Sequence, residues 1–163
     1  MPAEMKESFS AEELIFQIKR LNLQMSAQLE VNLKSRSMTG VQVYFMVYIL
    51  RHHPEGTYLT ELCRETGISK PTLSALIKKL KEKDYLCILA DPDDVRKKKV
   101  FPSAKLIREK EGFLQRADRM ETEICSALDE KEQQELKSLE EKLLAQLARM
   151  EHNEKERQEV YLQ

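Results

Sequence analysis

Two clusters of cations organise this 163-residue chain, whose formal net charge is only −1. The first sets Lys70, Lys78 and Lys79 among the hydroxyls of Ser69, Thr72 and Ser74. The second is the run Arg96, Lys97, Lys98 and Lys99, preceded by Asp91, Pro92, Asp93 and Asp94. Adjacent like charges repel, and a nearby polyanion removes that cost. The chemistry open to such residues is recognition of duplex nucleic acid. Hydroxyls and lysines on a helix reach base edges and phosphates in a major groove, and the negative potential of a narrow minor groove attracts an arginine. Asp94, two residues before Arg96, is placed to orient the guanidinium by a bidentate pair. The lysines of the first cluster also read as a solvated helix face; the second cluster, at this distance from the first, favours the nucleic-acid reading.

Other reactive residues offer less. Cys63, Cys87 and Cys125 are odd in number and far apart, so neither a disulfide framework nor a metal knuckle follows from them. Each reads as a packed thiol, with a redox switch as the alternative for Cys63. His52 and His53 are adjacent, and neighbouring helical residues point about 100° apart, which is poor geometry for sharing one ion. The pair is expected to meet the terminal carbonyls of its own helix. Neither a glycine-rich phosphate loop, a nucleophile elbow nor an H-E-x-x-H motif occurs, so no catalytic residue, metal or cofactor is expected.

The elements that must carry the cations are helices. Ser10 with Glu13, Thr39 with Gln42 and Asp129 with Glu132 are capping boxes, each opening a helix. Leu14, Ile18, Leu21, Met25 and Leu29 give the first helix one buried stripe, with an end near Val31 or Leu33. Val41, Phe45, Tyr48 and Ile49 mark the second, which Pro54 and Gly56 stop. In LTELCRETGISKPTLSALIKKLKEKDYL, Gly67 supplies the positive φ of a tight turn, and Leu59, Leu62, Ile68, Leu73 and Leu76 face inward. Ser69 caps the following helix, with Pro71 in its first turn. This is a helix-turn-helix whose second helix exposes the first cation cluster. Tyr85 to Ala90 and Val100 to Pro102 flank the second cluster as a hairpin. One helix is expected from Ser103 toward Leu128. A last helix, extended by the tail, carries Leu136, Leu139, Leu143, Leu147 and Met150 as a narrow seam suited to another helix.

Scarce Gly and Pro, no Trp and 34% charged residues point to a mainly α class. Ser69 to Lys105 holds ten basic against five acidic residues, while Asp129 onward holds six against ten, so a basic centre sits in an acidic frame. No apolar run approaches the roughly 20 residues of a membrane span, and MPAEMKESFSAEEL lacks the basic-then-apolar order of an export signal. A cytoplasmic protein is expected.

On these motifs the chain resembles the multiple antibiotic resistance regulator (MarR) family of winged-helix repressors. The resemblance rests on the helix ending TGVQVYFMVYIL, the helix-turn-helix above, the wing core DPDDVRKKK with its Asp-x-Arg, and two closing helices. The family usually places a Gly where this chain has Asp84, and a Leu-Thr pair and then a Gly where it has FPSAKLIREKEG. The resemblance implies a winged helix-turn-helix with a small β-hairpin wing, inserted in a helical dimerisation region. Residues 1–38 would form an N-terminal dimerisation helix, 39–103 the DNA-binding domain and 104–163 the C-terminal dimerisation helices. It further implies that Ser69, Lys70, Thr72, Ser74 and Lys78, with Lys79 beside them, contact the major groove and backbone. Arg96 would take the minor groove with Asp94 orienting it, and Lys97, Lys98 and Lys99 would make the wing basic. A homodimer on pseudo-palindromic double-stranded DNA is expected, acting as a repressor and released by a small aromatic or amphipathic effector. Tyr44, Phe45 and Tyr48 either line such an effector's pocket or belong to the core. The alternative is a winged-helix protein-interaction module that uses its acidic frame without binding an operator.

Overall fold

Local hydrogen bonding sets where each helix begins in the computed structural model, which describes residues 9–33, 36–94 and 96–163. Ser10 Oγ accepts the Glu13 N–H at 3.2 Å and starts α1 (Ala11–Leu29). The helix stops sooner than the sequence predicts: Glu30 leaves helical geometry (φ −59°, ψ 133°), and β1 (Val31–Leu33) pairs antiparallel with β2 (Arg36–Met38). Val31 is β-branched and Asn32 favours local turns over helix, so the backbone preference ends before the apolar pattern does. Thr39 and Gln42 exchange both bonds of their capping box, each 3.2 Å, and open α2 (Gly40–His52).

After α2 come β3 (Thr57–Tyr58), α3 (Leu59–Thr66), α4 (Lys70–Glu82), β4 (Leu86–Ala90) and β5 (Lys98–Pro102). Gly67 closes α3 at φ 73°, its N–H on the Cys63 carbonyl at 3.0 Å, in the left-handed conformation that glycine adopts without strain. The sheet runs in the order β3-β5-β4, all antiparallel, with Val100 between Thr57 and Ile88. Phe45, Met46, Ile49 and Leu50 of α2, Leu62 of α3, Leu73, Ile77 and Leu80 of α4, and Leu86 and Val100 of the sheet form one core. This core locks α4 against the sheet.

The end of α4 is tied to the next element. Ser103 Oγ donates to the Asp84 carbonyl at 2.6 Å, and Lys105 Nζ donates to the Lys83 carbonyl at 3.2 Å while lying 4.4 Å above the Tyr85 ring. Asp84 has φ 63°, the one positive φ of a non-glycine among the described residues. Asp meets this demand with less strain than most side chains. A single helix is expected after Ser103; instead Glu109 (φ −95°, ψ 3°) separates α5 (Ala104–Arg108) from α6 (Lys110–Cys125). Gly112, a weak helix former, lies just inside α6.

The chain forms two compact units, up to Met120 and from Glu121 onward. In the first, the expected buried stripe of α1 is exposed at Leu14, Ile18, Leu21 and Met25, and only Leu29 is buried. Helix α1 meets α2 near Ser26, at its C-terminal end, which leaves the rest of that stripe uncovered within the unit. In the second, the Asp129–Glu132 capping box (2.8 and 3.1 Å) opens α7 (Glu130–Tyr161), a 32-residue helix that takes in most of the tail. Among the described residues no helix is long and apolar enough to cross a membrane. Residues 1–8, on which the export-signal expectation partly rests, lie outside the described residues.

Candidate nucleic-acid interface

Burial of Leu73, Ile77 and Leu80 at four- and three-residue spacing fixes the rotation of α4. Lys70, Ser74, Lys78 and Lys81 therefore share the adjoining face. Together with Arg96, Lys97 and Lys98 they line one cleft of about 770 Å³ between α4 and the wing. Its floor is apolar, made by Leu59, Ile77, Ile88 and Val100. Glu61 is the one acid in the lining, its Oε2 accepting from Thr57 Oγ1 at 2.7 Å. Of the six cations in the lining, only Arg96 has an ion pair among the described residues, and that pair is loose: Nε lies 4.0 Å from Asp94 Oδ1, with the Arg96 side chain 96% exposed. Positive charge gathered in a concave site without counterions raises the local potential for a polyanion.

The acids of the wing shape its backbone. Asp91 N–H donates to the Lys97 carbonyl (2.8 Å) and Lys97 N–H to the Asp94 carbonyl (3.0 Å), closing the tip. Asp91 Oδ1 accepts from Asp93 N–H at 2.9 Å, and Asp94 Oδ1 from Arg96 N–H at 3.0 Å. Both are turns in which a side chain binds a backbone N–H two residues on. The bidentate Asp94–Arg96 pair is not formed: Asp94 Oδ1 holds the Arg96 amide, and of the guanidinium only Nε approaches it, at 4.0 Å. Val95, within the wing motif, lies outside the described residues.

The cleft includes some of the sequence-predicted residues and not others. Lys70, Ser74, Lys78, Arg96, Lys97 and Lys98 are in it. Thr72 and Lys79, two turns apart, are exposed on the outer face of α4. Ser69 occupies the cap position, but its hydroxyl donates to Thr72 Oγ1 at 2.9 Å and makes no cap bond. Lys99 is displaced by strand alternation: Lys98 and Val100 line the cleft, and Lys99 between them packs its stem beside Gly56. Lys81 was not among the predicted contacts; its place three residues after Lys78, on the same helical face, is the signal that identifies it.

The histidines also differ from expectation. His53 Nε2 lies 2.7 Å from Glu65 Oε2, to which Tyr48 Oη also donates at 2.7 Å, and the His52 ring packs 4.6 Å from that of Tyr48. Hydrogen bonding to Glu65 pushes the Tyr48 phenol up to about 12, and the bond from His53, then that from Tyr48, holds the Glu65 carboxyl below the usual carboxylate range. The cluster pins α3 to α2 and leaves the helix-end carbonyls to other partners. Phe45 is core and Tyr44 exposed. Cys63 packs on the core, whereas Cys125 is exposed and not packed as expected.

Residues 37–97 match the model of the MarR family. This chain carries a MarR-family domain. The matched segment spans α2, α3, α4, β4 and the wing tip as far as Lys97. MarR-family proteins are transcription regulators and not enzymes. Among solved structures, the S. aureus MepR–DNA complex is similar at 24% identity and TM-score 0.71, covering 85% of this chain and 99% of that one. S. aureus MepR in a DNA-binding conformation is 25% identical, TM-score 0.67, over 85% of this chain and 99% of that one. The PcaV transcriptional regulator of Streptomyces coelicolor, in complex with its natural ligand, is 14% identical, TM-score 0.67, over 83% and 92%. These likenesses establish the winged-helix MarR fold. No curated protein matches the sequence.

Proposed function

We propose that this MarR-family transcription regulator binds duplex DNA as a homodimer, with α4 in the major groove and the wing in the minor groove. One observation carries the reading: helix and wing face a single cleft whose cations, Arg96 apart, have no ion pair among the described residues. Ser69, Lys70, Thr72, Ser74, Lys78 and Lys79 then serve base edges and flanking phosphates, joined by Lys81. Arg96 enters the minor groove, Lys97 and Lys98 meet phosphate, and Asp94 sets the loop. Lys99 adds charge from the back of the wing. Residues 39–103 serve as the DNA-binding segment, and 1–38 with 104–163 as the dimerisation region, carried by α1 and the closing helices. The uncovered apolar stripes of α1 and α7 support a second copy as partner. Twofold symmetry would set two copies of α4 about one helical turn apart on a pseudo-palindrome. Action as a repressor in the cytoplasm, released by a small aromatic or amphipathic ligand, completes the reading. MepR in complex with DNA and PcaV in complex with its ligand are in keeping with both roles.

Titration with duplex at rising salt tests it. A dimer neutralising about six to ten phosphates loses affinity by about 10³ or more between 50 and 200 mM salt. Arg96→Ala should weaken binding about tenfold and leave the dimer intact. An Arg96→Ala chain that binds as tightly as its parent removes the wing from the interface, and a chain that binds no duplex at all favours the protein-docking module.

A further inference from the structure

We propose that Tyr58 is a positioning residue that braces the wing, an inference resting on the DNA reading above. Tyr58 stands at the N-cap of α3, a position that favours Ser, Thr, Asp or Asn, yet its side chain makes no cap bond. Its phenol is used elsewhere: Oη donates to Asp91 Oδ2 at 3.5 Å. The register makes this a bond across the whole sheet. Tyr58 pairs with Lys99 and Lys99 with Leu89, so the three form one row and share a face. Asp91, two residues beyond Leu89, continues on that face. The phenol thus reaches from edge strand β3, past central strand β5, to the end of β4, on the side away from Ile88 and Val100.

Asp91 is where such a brace has most leverage. Its other carboxylate oxygen holds Asp93 N–H, and its own N–H holds the Lys97 carbonyl. One side chain therefore joins the closure of the tip to β3, which runs directly into α3 and the helix-turn-helix. The Ala90–Lys98 pair is the last rung of the wing ladder, so beyond it the tip depends on these side-chain and loop bonds for its angle. Tyr58 touches the edge of the cleft, while its phenol braces the tip from the other face of the sheet. The brace sets how far Arg96 stands from α4, and hence whether both reach one duplex together.

Tyr58→Phe removes one oxygen and keeps the ring, so β3 and the core should be retained. The probe is a duplex recovered from a randomised pool by the parent chain. If the brace places Arg96, binding should weaken about fivefold, more than the small fall in unfolding midpoint expected from losing one long hydrogen bond accounts for. If Tyr58 acts by placing Arg96, the same substitution in an Arg96→Ala chain should change affinity less than about twofold, since coupled residues do not add. Parent-like affinity of Tyr58→Phe overturns the brace. So does an equal fold loss in both backgrounds, or a loss matched by a lower unfolding midpoint. Failure of the parent to recover any duplex overturns the DNA reading, and this inference with it.

Discussion

Gly40 marks a close approach of α2 to α1. A Cβ placed there would lie 1.7 Å from the Ser26 carbonyl oxygen, and backbone cannot step aside as a flexible side chain can. Gly40→Ala should destabilise the chain by about 3 kcal/mol, the upper part of the usual range for overpacking. The gain in helix propensity, about 1 kcal/mol at most, cannot offset that. Denaturant unfolding checks it: the midpoint falls with the slope unchanged, and a parent-like midpoint would mean that α1 can slide away at no cost. The sequence contains nothing that marks this contact, because it depends on where α1 crosses α2. The cations divide along the same line. Residue type made Arg96 and its lysines legible as phosphate-facing groups, but a run of four bases does not show that strand β5 begins inside it and turns Lys99 away. Asp94 was legible as a partner of residue 96; whether it would take the guanidinium or the amide was decided by the loop.

At the scale of elements, the caps at Ser10, Thr39 and Asp129 were the most legible feature, since each is satisfied within three residues of itself, whereas Ser69 takes its cap position without a cap bond. Ends were less so: α1 stops at Leu29, before its apolar pattern does, and the break at Glu109 has no proline to announce it. The join between α2 and α3 was hidden, as Tyr48, His53 and Glu65 are distant in sequence and meet only in the fold. That join has a pH signature. The folded-state Glu65 carboxyl is lowered, so its contribution to stability is present above the ordinary carboxylate value and drains away as pH falls through the lowered one. The Tyr48 phenol, raised to about 12, stays a donor throughout. Glu65→Gln should therefore melt slightly below the parent at neutral pH, with the gap closing as pH falls below about 4. Because the group is solvent-accessible, the effect is small. A gap that stays constant across the acid range would show that the carboxylate charge contributes nothing.

At the scale of the whole molecule, the apolar stripes of α1 and α7 stand exposed in a single chain. The 3-4-4-3 spacing of α7 predicted a seam, and Leu136, Leu139, Leu143, Leu147 and Met150 stand exposed along it at 45–58%. The α1 stripe, by contrast, was expected to be buried. Both patterns follow if the apolar spacing was selected against a surface of another copy, since periodicity reports that a face is covered without saying by which chain. Leu143 lies mid-seam, so Leu143→Glu puts a charge where a dimer would exclude water. The variant should sediment as a monomer with the winged unit still folded. On a duplex carrying two half-sites its affinity should fall about a hundredfold or more, because the second half-site is no longer an intramolecular event. Its salt slope should halve as the phosphates neutralised per complex halve. Those two changes must come together: a monomer that kept the parent's slope would already neutralise every phosphate alone. A Leu143→Glu chain that remained a dimer would place the interface on α1 and not on α7.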